Sequence, residues 1–194
     1  DDQKTTLERI VEAAKAAQDG VRKVLIVNGG PGTGKSVIAL NALSRLTGLR
    51  LNSRYVTANS APREVFAQKL KGAKGLKVAD LFSGSGGFVS QDENSFDVLI
   101  VDEAHRLRLR SQYIKGDNQI REIINSARTA VFFIDEAQKV TWQDIGEVSA
   151  IESFAKLAGA EVRHLELTSQ FRCSGSDDYM VWLDHAIGVR IDNE

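Results

Sequence analysis

The stretch that most constrains this chain is residues 24–36, Val24-Leu25-Ile26-Val27-Asn28-Gly29-Gly30-Pro31-Gly32-Thr33-Gly34-Lys35-Ser36. A short apolar run ends in a glycine-rich turn. Lys35-Ser36 follows, and then the helical pattern Val37, Ile38, Leu40, Leu43. Gly29 to Ser36 fits G-x-x-x-x-G-K-[ST] in the strand–loop–helix setting which that pattern requires. Glycines let the backbone turn tightly, so that its N–H groups face inward onto a phosphate. The start of the next helix adds free N–H groups and a positive dipole end. In this pattern Gly29, Gly30, Pro31, Gly32, Thr33 and Gly34 form the cradle. Lys35 reaches the β- and γ-phosphates, and the Ser36 hydroxyl holds Mg²⁺.

Four polar clusters follow four apolar runs at residues 29–36, 102–105, 135–138 and 169–172. Strands are expected at 23–28, 54–57, 96–101, 129–134 and 162–167. Helices are expected at 5–19, from the P-loop to Gly48, from Pro62 to Gly72, and at 119–128, 147–158 and 177–186. Thr5 and Glu8 have capping-box spacing, and Gly20 can end the first helix. Leu76 to Phe82 fits one short helix, and Ser83-Gly84-Ser85-Gly86-Gly87 reads as a mobile surface loop, linker or lid. Strands alternating with helices predict an α/β domain with a mainly parallel sheet of five strands or slightly more, helices lying on both faces. Ligands of such sheets sit at the carboxyl ends of the strands, where the four clusters fall.

The second cluster carries the chemistry that a phosphate loop alone lacks. Val98-Leu99-Ile100-Val101 ends in Asp102-Glu103, so Asp102 can hold Mg²⁺ directly or through water. Glu103 is placed to orient the attacking water or take its proton. His105 either couples this site to neighbouring segments or serves as a polar residue at a helix start. His105, His164 and His185 lack zinc-ligand spacing. In Asp135-Glu136-Ala137-Gln138, Gln138 can donate to a γ-phosphate while accepting from water. The cluster also fits a polar helix cap, which suits Asp135 better than Gln138. Arg172 can pair with the γ-phosphate, although taken by itself it fits a surface arginine in an ion pair better.

Other classes are excluded by composition. The net charge of −1 rules out a polycation, so any nucleic-acid contact comes from a local patch. One cysteine, Cys173, rules out an intrachain disulfide and a cysteine zinc cluster, and suggests a reducing, cytoplasmic setting. No apolar run approaches membrane-spanning length. A chain of 194 residues fits one domain. Its last residues, Ile191-Asp192-Asn193-Glu194, show no obvious natural terminus, so residues 1–194 are expected to be a fragment of a longer protein.

Taken together, these residues resemble the first RecA-like domain of superfamily 1 helicases, and within them the Schlafen-type DNA/RNA helicase domain of prokaryotic proteins. Gly29 to Ser36 matches motif I, and Asp102 to His105 motif II. Val56-Thr57-Ala58-Asn59-Ser60-Ala61 looks like motif Ia. Asp135 and Gln138 match motif III, with Ile134 where a glycine is usual. Arg172, in Leu167-x-x-x-Phe171-Arg172, resembles the motif IV arginine that contacts the γ-phosphate. Asp2-Gln3 is similar to a Q motif, whose glutamine, here Gln3, reads adenine.

The resemblance implies an ATP- and Mg²⁺-dependent motor domain in which Lys35, Glu103, Gln138 and Arg172 act on ATP. Nothing resembles the guanine-reading element of GTPases. It also implies single-stranded DNA or RNA as partner, through Thr57 to Arg63 and Arg106 to Lys115, where Tyr113 is a possible stacking ring. The Arg-Leu-Arg-Leu-Arg alternation equally fits an amphipathic edge. No motif V or VI is found, so a second RecA-like domain is expected in cis. Alone, this domain should bind nucleotide weakly and hydrolyse it slowly. Two other classes fit the phosphate loop: a P-loop ATPase that remodels proteins or acts as a signalling switch, and a non-catalytic nucleotide-binding module.

Overall fold

The computed structural model describes residues 2–58, 78–109, 116–139 and 144–168. The expected helices at 62–72 and 177–186 lie outside the described residues, as does the fourth polar cluster.

Six strands form one sheet: β1 (Lys23–Gly29), β2 (Ser53–Thr57), β3 (Phe82–Gly84), β4 (Phe96–Asp102), β5 (Ala127–Ile134) and β6 (Glu161–Leu167). Their order is β3-β2-β4-β5-β1-β6, and every pairing between them is parallel. Among the described residues four α-helices accompany them: α1 (Asp2–Ala16), α2 (Lys35–Gly48), α3 (Gln119–Ser126) and α4 (Val148–Leu157).

Period-2 alternation sends successive residues of each strand to opposite faces. From β1, Leu25 and Val27 join Ile10 and Ala14 of α1 and Ile38, Leu43 and Leu46 of α2. Val24 and Ile26 face the other way, with Ile120, Ile123 and Ile124 of α3 and Ile151 of α4. Burying one such side chain contributes about 1.5–3 kcal/mol, so both helical layers are held by the sheet. Among the described residues β6 is an edge strand and only partly covered: Glu161, His164 and Glu166 are exposed, Val162, Arg163 and Leu165 half-buried, and Leu167 buried.

Local chemistry sets the element ends. Asn118 caps α3, its Oδ1 accepting from the N–H groups of Ile120 and Arg121 at 3.0 and 3.2 Å. Gly20, at φ 107°, caps the 3₁₀ turn Ala17–Asp19 that follows α1, and Gly159, at φ 66°, lies just past the end of α4. At the base of the sheet the Arg22 guanidinium donates to the carbonyls of Ala127, Ala158 and Asn125 and to Asn94 Oδ1, binding the strand starts together.

Three expectations are corrected. Helix α1 begins at Asp2, so Thr5 and Glu8 lie inside it. Its first turn is fixed by tertiary bonds instead, Asp2 accepting from Thr168 N–H at 2.8 Å. Helix α3 stops at Ser126, and Arg128 belongs to β5, which starts where Ala127 pairs with Phe96. Residues 83–87 are not a loop, and Phe82, expected at the end of a short helix, belongs to a strand. Phe82–Gly84 pairs with β2 as an edge strand between 3₁₀ turns at Val78–Leu81 and Ser85–Phe88. Phe82 is buried against the Tyr55 ring, with centroids 5.6 Å apart, and Phe88 meets Phe96 edge-on at 5.7 Å. These ring contacts outweigh the glycines around them.

Candidate nucleotide-binding site

The sheet's carboxyl edge carries the site. Strand β1 lies between β5 and β6, and Asn28 and Gly29 sit in register with Ile134 and Leu167. The loop leaves from there. A Cβ on Gly29 would lie 2.7 Å from Thr33 Oγ1 and 3.0 Å from Leu167 Cβ, so only glycine fits. Thr33 closes the turn by donating its hydroxyl to Gly30 O at 2.8 Å. Gly32 and Gly34 have φ of 77° and 82°, a region that favours glycine. Gly34 is then the N-cap of α2.

Lys35 is almost fully buried and lies back across the loop. Its Nζ donates to the carbonyls of Gly29 at 2.5 Å and Gly30 at 2.9 Å, and sits 3.6 Å from Asp135 Oδ2. Ser36, one residue on, donates its hydroxyl to Asp102 Oδ2 at 2.7 Å. Asp102 ends β4 and is 4% exposed, and its other oxygen accepts the Glu103 N–H at 3.0 Å. A serine hydroxyl against a buried carboxylate is an oxygen donor pair of the kind Mg²⁺ accepts when phosphate supplies further ligands. The residues therefore fit the cation. Among the described residues no group of three or more His, Cys, Asp or Glu side chains is arranged to hold a metal, so this pair needs phosphate and water to complete a shell.

Glu103 turns the chain away from the strand in the left-handed region, at φ 55°. Its carboxylate remains partly accessible, 3.0 Å from His105 Nε2 and 3.9 Å from Arg106 Nε. His105 is fully buried, and the close approach to Glu103 is not aligned as a hydrogen bond. Asp135 caps the turn Glu136–Gln138, accepting from Ala137 N–H at 3.2 Å, while Gln138 Nε2 donates to Asp135 Oδ2 at 2.7 Å. Asp135 thus joins Gln138 to Lys35. Gln3 reaches the loop from α1, its amide donating to Thr33 O at 2.9 Å.

Lys35, Ser36, Asp102, Glu103, Gln138 and Gln3 are therefore brought to one edge, while Arg172 lies outside the described residues. The expected nucleic-acid segments fare differently. Thr57 is 1% exposed, because it pairs in register with Asp102 within the sheet, so it offers no surface; only Ala58 beside it is exposed and described. In the second segment Arg106 is exposed, Leu107 is buried and Leu109 is 54% exposed, so the alternation is only partly amphipathic. Arg110 to Lys115, Tyr113 among them, lie outside the described residues.

Two residues escape a reading of the sequence. Tyr55 in β2 donates its hydroxyl to Asp102 Oδ2, although nothing local distinguishes it from any strand aromatic. Gly146 packs against the backbone of Ala104 and His105, where a Cβ would lie 1.8 Å from Ala104 O. Beside it, Ile145 N–H donates to Leu107 O at 2.8 Å and Arg108 bridges antiparallel to Asp144. The segment after β4 is thus strapped to the start of α4.

A parallel sheet with a glycine-rich phosphate loop between β1 and α2, and an aspartate–glutamate pair ending β4, defines a RecA-like P-loop NTPase domain. The model of one family, described as "Schlafen group 3, DNA/RNA helicase domain", matches residues 22–194, and the chain belongs to that family. Among solved structures it is similar to the flagellar accessory protein FlaH from Methanocaldococcus jannaschii, with 14% identity and a TM-score of 0.41 over 74% of this chain and 73% of that one. No curated protein matches the chain.

Proposed function

We propose that this domain binds and hydrolyses ATP as the motor module of a DNA or RNA helicase or translocase. One observation carries the reading. The P-loop serine and the β4 aspartate meet at 2.7 Å, with the P-loop lysine buried beside the loop carbonyls and Glu103 next along the chain.

In this reading the loop N–H groups and Lys35 hold the β- and γ-phosphates, and Ser36 and Asp102 hold Mg²⁺, which supplies charge neutralisation on the phosphate oxygens. Glu103 orients water and accepts its proton. Gln138 reports the γ-phosphate, and its bond to Asp135 links that report to Lys35. Gln3 contributes to adenine recognition from its position against the loop. Arg172 is assigned the γ-phosphate from its motif. Residues 1–194 form one RecA-like domain that works against a second one in cis, on single-stranded nucleic acid held through the surfaces around Ala58 and Arg106, in the cytoplasm. No described helix is long and apolar enough to cross a membrane.

The test is ATP turnover by the full-length protein with and without single-stranded DNA and RNA. Stimulation supports the motor reading, and turnover indifferent to every nucleic acid refutes it. Calorimetric titration with ATP·Mg²⁺ tests the site itself. Lys35→Ala should weaken binding at least tenfold, and equal affinity would remove the site from consideration.

A further inference from the structure

Asp102 is held by more than the nucleotide machinery requires. Its Oδ2 accepts two hydroxyls, from Ser36 at 2.7 Å and from Tyr55, while Oδ1 accepts the Glu103 N–H. A carboxylate has about four lone-pair sites, so three donors leave little rotational freedom. Tyr55 is itself immobilised. It is 2% exposed, its backbone is in register with Phe82 of β3 and Ile100 of β4, and its ring packs on Phe82 at an interplanar angle of 54°. A phenylalanine would satisfy that ring contact equally. The hydroxyl gains its reason from the carboxylate, because a buried O–H is stable only when it is paired.

We propose that Tyr55 is a positioning residue for the cation site, its hydroxyl fixing Asp102 Oδ2 toward Ser36 with edge strand β3 as the buttress. The inference rests on the nucleotide-site reading above. Partners outside a metal's immediate ligands orient those ligands, and their removal commonly weakens metal affinity 10- to 100-fold. Tyr55 lies on β2, outside the phosphate loop, so its hydroxyl should matter for the cation far more than for the nucleotide.

The experiment uses Mn²⁺ as the probe, titrated by electron paramagnetic resonance into the full chain saturated with ADP. ADP affinity is measured separately in EDTA, and thermal melting reports the fold. Tyr55→Phe keeps the ring and should bind Mn²⁺ about tenfold more weakly or worse. Its ADP affinity in EDTA should stay within about twofold, since the phosphate loop is untouched. Ser36→Ala serves as the reference for the site. If Ser36→Ala weakens Mn²⁺ and Tyr55→Phe does not, the role of Tyr55 is refuted and the site stands. If neither variant changes Mn²⁺ binding, the site reading and the role of Tyr55 fall together. If Tyr55→Phe weakens metal-free ADP binding as much as Mn²⁺ binding, its effect is general packing, and positioning is refuted.

Discussion

Replacing Gly146 by alanine places one methyl group where the chain has no room. The new Cβ would lie 1.8 Å from Ala104 O and 2.6 Å from both Ala104 C and His105 Cα, all of them backbone atoms. Contacts under 3.0 Å are essentially never adopted, so the two segments must part by at least 3.0 − 1.8 = 1.2 Å. The neighbouring bond from Ile145 N–H to Leu107 O, now 2.8 Å, would then stretch to about 4.0 Å and cease to be a hydrogen bond. Overpacking costs about 1–3 kcal/mol, and the lost bond about 0.5–1.5 kcal/mol net. A destabilisation of about 2–4 kcal/mol follows, or roughly 5–15 °C in melting temperature for a domain of this size. Thermal and urea denaturation measure it. Gly48→Ala is the control: nothing lies within 4 Å of its added Cβ, and its φ is not positive. That variant should be neutral or up to about 1 kcal/mol more stable. If Gly146→Ala melted within about a degree of the parent, the packing of this segment on Ala104 would be wrong. Because the strap sits directly behind Glu103, turnover should fall in Gly146→Ala while nucleotide affinity, set at Lys35, holds.

Other substitutions separate chemistry from stability. Glu103→Gln should lower turnover by roughly 10²- to 10⁴-fold with little change in melting, and intact turnover in the full-length protein would remove its proton-accepting role. Glu103→Gly should also abolish turnover yet raise stability by about 1 kcal/mol, since glycine tolerates the left-handed φ of 55°; a less stable variant would contradict that account. At the base of the sheet, the Lys23 ammonium bonded to Glu161, with Arg163 adding to it, holds the Glu161 carboxyl below the ordinary glutamate range. A lowered folded-state value means stabilisation that is present at neutral pH and lost as pH falls through that value. The melting difference between the parent and Glu161→Gln should therefore shrink on acidification and in high salt, and a gap indifferent to pH would count against the pair.

What could be read in the sequence was whatever local chemistry enforces. The run Val24 to Val27 is apolar at every position because β1 is covered on both faces. The loop glycines are dictated by φ and close approach, and Lys35-Ser36 complete the G-x-x-x-x-G-K-[ST] pattern at the start of α2. Strand β3 escaped because three residues carry no periodicity. What holds them is pairing with Tyr55 to Thr57 and a ring contact with a residue 27 positions earlier. The end of α3 was misplaced by two residues because Ser126 donates back to Glu122 O at 2.7 Å while Ala127 is already in the sheet. Tyr55 and Gly146 matter only through neighbours that the fold supplies. Thr57 looked like a surface contact because its motif runs on past the strand, although the residue itself is the strand's buried last member.

The strand order also bears on how the chain is made. Strand β1 is synthesised before both of its neighbours in the sheet, β5 and β6, which are the last two described strands of the chain. Lys23 and its partner Glu161 are 138 residues apart. At about 5–20 residues per second, roughly 7–28 s pass between the synthesis of Lys23 and that of Glu161, and for most of that time, until β5 is made, both hydrogen-bonding edges of β1 lack their partners. During vectorial synthesis the apolar strand that leads into the glycine-rich loop is thus left without its sheet partners. Holding it out of reach of other nascent chains is a natural task for a chaperone until β6 closes the sheet.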